Sequence, residues 1–450
     1  MDAKGIRSTR IVTPEGIRAG TLLFASGRIA EVARYELQAA GIADVGELMI
    51  SPGLVDCHVH INEPGRTEWE GFATATEAAA AGGVTTLVDM PLNCIPVTTS
   101  ADALSQKLKA CRGQLHVDVG FWGGVVPGNV DALDGLAEAG ALGCKAFMVH
   151  SGIDEFPNAT EADLRRAMPV LKRLGLPLLA HAELDLGAQP FGATTQYANY
   201  LASRPCSWED EAIRLLVRLC EETGCAVHIV HLSSASAVPI VRAAKQRGLP
   251  ISAETCPHYL CLHAEAIPDG ATHYKCAPPI RGKQNQDTLW QALFDGVIDF
   301  VITDHSPCTP ALKLPERGDF QAAWGGISSL SLGLSSIWTE ASQRGATACD
   351  LARWMSEVPA RFAGLGGRKG RIEPGYDADL VVWDPEESFV VGVGDLHFRH
   401  KLSPYVGRTL RGSVHATLLG GSTVQRDGAV LSDTRGKLLL GRERAAAAPL

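Results

Sequence analysis

The feature that most constrains this chain is a repeated alternation between two kinds of segment. Short β-rich apolar runs give way to longer Ala- or Leu-rich stretches of helical period, eight times between Leu48 and Ala341. The runs are Leu48–Asp56, Val84–Asp89, Leu115–Phe121, Cys144–Met148, Leu178–Ala182, Val227–Leu232, Ile251–Glu254 and Phe300–Thr303. Helices are predicted over 70–81, behind a Ser100 cap, and over 130–139, 161–174, 209–222, 236–247 (Ser-capped), 286–294 and 327–341. A strand followed by a helix and another strand implies parallel pairing with a crossover connection. Eight such units suit a closed (β/α)8 barrel, with an open doubly wound sheet as the alternative.

The flanks read differently. Residues 1–51 and 371–450 carry short alternating runs such as Thr21–Phe24, Leu380–Trp383 and Ser413–Leu419, with turns such as Asp427-Gly428. Neither flank makes a comfortable sandwich alone. The expectation is an α/β protein with a TIM barrel over 52–370 and a small β-sandwich domain built from both chain ends. The tail Ala445–Ala448 is expected to fray.

With 46% hydrophobic residues the chain can build a core, and 41 basic against 50 acidic residues leave a net charge of −9. That balance disfavours a nucleic-acid or anionic-membrane partner. No apolar run approaches the roughly 18 residues of a membrane span. The start shows no secretory h-region, and the 12 cysteines form no C-x-x-C pair. A soluble cytoplasmic protein with free thiols is expected.

Chemistry concentrates at strand ends. In Asp56-Cys57-His58-Val59-His60 the two imidazoles share one face of a strand, where they can act as ligands for a borderline metal such as zinc. An isolated H-x-H is a weak signal. It gains weight because Lys145 lies in the fourth run, His181 ends the fifth, His231 the sixth and Asp304 the eighth. Barrel enzymes assemble their sites from this end of several strands. An ammonium between two dications would be repelled, whereas a lysine carbamate formed with CO2 could bridge them. Cys57 faces away as a packed thiol. His228, three residues before His231, faces away too, and His258 sits just past a strand end.

These residues resemble the cyclic amidohydrolases, and within them the allantoinase group most closely. The resemblance runs from Ser51-Pro52-Gly53-Leu54-Val55-Asp56 to Gly375-Tyr376-Asp377-Ala378-Asp379-Leu380-Val381. Its most specific stretch is His58 to Phe72, supported by Met90-Pro91-Leu92-Asn93, Ser151 to Pro157, Thr255-Cys256-Pro257-His258-Tyr259 and Asp304-His305-Ser306-Pro307-Cys308. The resemblance implies that His58, His60 and Asp304 hold the more buried of two divalent ions. His181 and His231 would hold the more exposed ion, with carboxylated Lys145 (N6-carboxylysine) bridging. Zinc is the first expectation, with manganese, cobalt or iron as alternatives. A bridging hydroxide would attack a cyclic amide while Asp304 carries the proton. A homotetramer is expected by resemblance alone.

The loops bear on which ring is opened. Dihydroorotases resembling this chain carry an arginine two residues beyond the second metal histidine, where this chain has Asn62. An amide there suits allantoin, which has no carboxylate, and Asn93 could offer a second amide contact. Hydantoinases place a tyrosine five residues after the modified lysine, where His150 stands here. Arg66, Glu68 and Arg281 read as loop or ion-pair residues. The rival readings are a hydantoinase or dihydropyrimidinase, a dihydroorotase, and a non-catalytic scaffold on the same fold.

Overall fold

A computed structural model describes residues 4–187 and 192–441 of the chain, so the alanine-rich tail lies outside the described residues. The strand-then-helix alternation is present throughout the middle of the chain. Parallel strands run Leu54–Val59, Val84–Asp89, Asp118–Phe121 with Gly123–Gly124, Cys144–Phe147, Leu178–His181, Val227–Ile229, Ile251–Thr255 and Phe300–Val301. Each pairs with its neighbour in sequence. The third strand changes partners at Trp122: Asp118–Phe121 lie on the second strand, whereas Gly123 and Gly124 lie on the fourth. The first and last strands also meet. Val59 bridges His305, His60 N–H donates to the His305 carbonyl at 2.8 Å, and Asp56 accepts from both the Thr303 amide and hydroxyl.

These strands are buried along their whole length, which is why the sequence shows continuous apolar runs rather than alternation. The helices Phe72–Ala81, Ala101–Ala110, Glu161–Leu174 and Lys283–Phe294 fall where the periodicity puts them. Ser100 caps its helix through the Ala103 amide, as expected.

Two helical expectations need correction, and one helix lies outside the expected series. Ser236 caps nothing: its hydroxyl and that of Ser234 are taken by the Asp210 carboxylate, and a 3-10 turn leads into Val238–Gln246. The last helix of the series starts at Gly333 rather than near Ile327, because Ile327 is extended in a bridge to His305. A helix at Tyr197–Ser203 was not anticipated.

The chain ends meet in one nine-stranded sheet. Leu380–Val390 pairs antiparallel with Met49–Pro52 and with Thr409–Leu419, so N- and C-terminal strands share one hydrogen-bonded ladder. The hydrogen bonds define a single sheet rather than the two facing ones of a sandwich. It curls until Arg28 bridges Asp377, and it encloses its own core of Ile6, Ile11, Leu22, Ile50, Leu380 and Val382. The extreme C-terminal strand departs from this sheet. Leu438–Leu439 pair in parallel with Val119 and Gly120 of the third central strand. That edge is open because the fourth strand begins pairing only at Gly123.

Where these units adjoin, Lys369 is almost wholly buried and contacts Asp118 at 2.8 Å and Asp379 at 2.5 Å. Among the described residues no helix is long and apolar enough to cross a membrane.

Candidate metal centre and active site

The C-terminal ends of the strands bring the six expected ligands together. His58 lies in the first strand and His60 one residue past it, Lys145 is second in the fourth, and His181 ends the fifth. His231 and Asp304 follow the sixth and eighth strands on left-handed backbone, φ 38° and 45°. Asn62 and Asn93 are left-handed as well, at 67° and 70°. Side chains with a Cβ rarely hold that conformation, and such strain gathers where a structure over-determines geometry for function.

Two groups of candidate ligands emerge. A nitrogen of His58, a nitrogen of His60 and an oxygen of Asp304 lie within 4.8 Å of one another. Asp304 Oδ1 is 3.3 Å from His58 Nε2 and 3.5 Å from His60 Nε2. His181 Nδ1 and His231 Nε2 face each other at 3.0 Å. Lys145 Nζ reaches His58 Nε2 at 2.9 Å, and no carboxylate lies within salt-bridge range of it among the described residues. Burial pushes all four imidazoles below their ordinary pKa, so each is neutral and able to donate a lone pair. Burial likewise pushes the Lys145 ammonium down to about 8, against the pull of Asp304 and Glu254. Convergent imidazoles and a carboxylate, all buried, fit two divalent ions.

Carboxylates hold two of these imidazoles from behind, and the sequence reading missed both. Glu183 Oε2 accepts from His181 Nε2 at 2.7 Å, leaving Nδ1 toward His231. Burial works to raise the Glu183 carboxyl, but Arg204 and His181 together outweigh it and hold it at about 2. Glu254 Oε1 lies 2.5 Å from His58 Nδ1, leaving Nε2 toward Lys145 and Asp304. A metal-ligating histidine is commonly fixed this way through its second nitrogen. The available signals were an acid two residues past His181 and an acid ending the apolar run Ile251–Glu254.

The two expected substrate amides are placed otherwise. Asn62 is 1% exposed and does not line the cavity; its Nδ2 donates to the Pro307 carbonyl at 3.2 Å. It pins the loop after Asp304 because left-handed backbone turns its side chain toward that loop. Asn93 does line the cavity, yet its amide rests 3.4 Å from His60 Nδ1 with Oδ1 lacking a partner. Turning the amide over lets Oδ1 accept an Nδ1 proton and leaves His60 Nε2 toward Asp304, so we assign it that way.

His150 sits at the cavity rim, its ring 60% exposed and bonded to the Gly152 amide. Arg66 pairs with Glu155 and Arg281 with Glu209, in line with the ion-pair reading. His228 does face away from the cavity, though it touches Glu254. His258 is wholly buried near Asp304.

The ligands open into a cavity of about 730 Å³ lined by Phe147, Arg204, Trp208, Lys275 and Trp324 among others. Among the described residues, Lys275 and Lys313 are buried without a carboxylate partner. They donate instead to the carbonyls of Gln321, Ala323, Trp324 and Gly326 and so fix that loop over the cavity.

Comparison with known proteins gives the family. The amidohydrolase family matches residues 49–424. The chain is 48% identical over 439 residues to an allantoinase of Streptomyces avermitilis, covering 96% of this chain and 98% of that one. It is 44% identical to an allantoinase of Arabidopsis thaliana, over 97% and 90% of the two chains. For one from Saccharomyces cerevisiae the identity is 45%, over 92% and 90%. A solved L-hydantoinase (dihydropyrimidinase) from Arthrobacter aurescens superposes with a TM-score of 0.91 at 29% identity, covering 98% of this chain and 100% of that one. By sequence match across most of its length, the chain belongs to the amidohydrolase family.

Proposed function

We propose that this chain is an allantoinase, a hydrolase that opens the cyclic amide of (S)-allantoin to give allantoate. The observation that carries this is the agreement of relatives named allantoinase in a bacterium, a plant and a yeast, at 44–48% identity over at least 92% of this chain. Sequential parallel pairing and the Val59–His305 tie support a closed (β/α)8 barrel over 52–370, with its site at the C-terminal face.

His58, His60 and Asp304 would hold one divalent ion, His181 and His231 the other, and carboxylated Lys145 would join them. Support for the modification is geometric: an ammonium against His58 Nε2 has no salt-bridge partner among the described residues, while a carbamate would present two oxygens to two cations. When bound, the ions polarise a substrate carbonyl and make a water acidic enough to ionise near neutral pH. The protein supplies the rest. Asp304 lines the cavity, accepts a proton at its carboxylate and returns it to the departing ring nitrogen. Glu183, Glu254 and Asn93 fix the ligand rings, and the Lys275–Lys313 clamp shapes the cavity wall. We favour zinc, with manganese, cobalt or iron as alternatives, and CO2 as the source of the carbamate. A cytoplasmic homotetramer acting on a small molecule, rather than on nucleic acid or a membrane, completes the reading; a net charge of −9 supports its last part.

The solved hydantoinases give a second reading, since their fold follows this one closely at lower identity. One experiment separates the two: metal analysis with kcat/KM for allantoin, dihydroorotate and dihydrouracil. Allantoin is expected to be turned over fastest by enzyme holding two ions per chain; faster turnover of dihydrouracil would select the hydantoinase reading.

A further inference from the structure

Glu254 lies outside the cavity yet touches two of the candidate ligands. Its Oε1 lies 2.5 Å from His58 Nδ1 and 3.3 Å from the His231 amide, and its Oε2 lies 3.0 Å from His228 Nε2. His228 Nδ1 is 2.7 Å from the Ser252 hydroxyl. The members of this chain are buried, and neither Glu254, His228 nor Ser252 lines the cavity.

The protons can be assigned from one end to the other. Ser252 donates its O–H to His228 Nδ1, His228 donates Nε2–H to Glu254, and His58 donates Nδ1–H to the same carboxylate. That order leaves His58 Nε2 with a lone pair facing the site. The His231 amide makes its own bond to Glu254 just where the backbone takes its left-handed turn, φ 38°. One carboxylate therefore holds a ligand of each proposed ion, by the ring in one case and by the main chain in the other. Glu183 differs: among the described residues its side chain holds only His181 and the cavity-lining Arg204.

Resting on the two-ion reading above, we infer that Glu254, backed by His228 and Ser252, is the positioning residue that couples the two metal subsites, so that its loss weakens both ions together. Loss of Glu183 weakens only the ion at His181 and His231. Removing such an outer partner typically costs about 10–100-fold in metal affinity.

The test measures both dissociation constants by chelator competition in parent, Glu254→Gln and Glu183→Gln, and records the visible spectrum of each Co2+-loaded protein. Glu254→Gln should weaken both ions about 10–100-fold and alter the whole Co2+ spectrum; Glu183→Gln should weaken one ion and leave the other within about twofold. Both ions retained at parental affinity in Glu254→Gln, or only one of them weakened, would overturn the inference. A parent that binds fewer than two ions defeats the two-ion reading itself, a result visible before any variant is compared. Should Glu254→Gln fail to fold, Ser252→Ala must weaken both ions in the same direction by a smaller factor, and two unchanged constants would refute the coupling.

Discussion

Asn62 offers the clearest contest between a reading of sequence and a reading of structure. As a substrate contact, its truncation would lower kcat/KM for allantoin and leave a substrate that ignores it untouched. The structure instead gives the amide to the Pro307 carbonyl at 3.2 Å, on backbone with φ 67°. Asn62→Ala then loses one neutral hydrogen bond, about 0.5–1.5 kcal/mol. It also places a Cβ residue without a local polar side chain in the left-handed region, about 1 kcal/mol more. The sum is about 2 kcal/mol of stability. Asn62→Gly loses the same bond but tolerates the backbone, so it should be more stable than Asn62→Ala by up to about 1 kcal/mol. Urea unfolding at matched metal content measures both differences. Activity provides the second axis: the loop after Asp304 loosens for every substrate, so kcat/KM for allantoin and dihydrouracil should fall together. A roughly 2- to 13-fold loss confined to allantoin, with unchanged urea midpoints, would show that Asn62 meets the substrate and that the structural argument is wrong.

Other perturbations follow from the same contacts. Lys145→Ala should remove nearly all activity, and short carboxylic acids should restore part of it by supplying bridging oxygens; mass spectrometry and rescue assays check this. Lys369→Met strands the buried Asp118 and Asp379 carboxylates and should cost about 3–5 kcal/mol of stability, with specific activity of the folded fraction preserved. Burial pushes His258 down to about 4. Between that value and the ordinary 6.5 the unfolded chain binds a proton that the folded chain refuses, so this histidine makes stability fall as pH falls through that window. His258→Phe should reduce the slope of stability against pH near 5 by about 1.4 kcal/mol per unit, one proton's worth. An unaltered slope would mean that the group titrates normally.

The sequence exposes most of what repeats and little of what is joined late. Continuous apolar runs and helical periods locate the central strands because burial on both faces leaves no alternation to confuse the count. The candidate metal histidines stand out because each sits at the end of such a run. Less visible are residues whose role depends on what lies across the structure. Ser236 has the composition of a cap, but Asp210 from the preceding helix takes its hydroxyl. Asn62 and Asn93 look like substrate amides, yet φ near 70° turns them onto Pro307 and His60. His228 faces away as the strand period demands, and period alone cannot say that Glu254 waits there. Glu254 itself, an acid in an apolar strand, was a signal of the kind that local pattern reading discards.

The shared sheet sets an order of events during synthesis. Met49–Pro52, beside Arg10 and Ile11 on one edge, finds its second neighbour only in Leu380–Val390, and the Asp118–Phe121 part of the third central strand finds its second only in Leu438–Leu439. At about 5–20 residues per second, the ribosome needs tens of seconds to travel from the first of these segments to the last. Throughout that interval the emerging amino-terminal strands carry an unpaired edge, the kind of surface that recruits other chains. A nascent chain of this design depends on being shielded until its far end arrives, and a message cut short after the central helices would release a product with open strand edges.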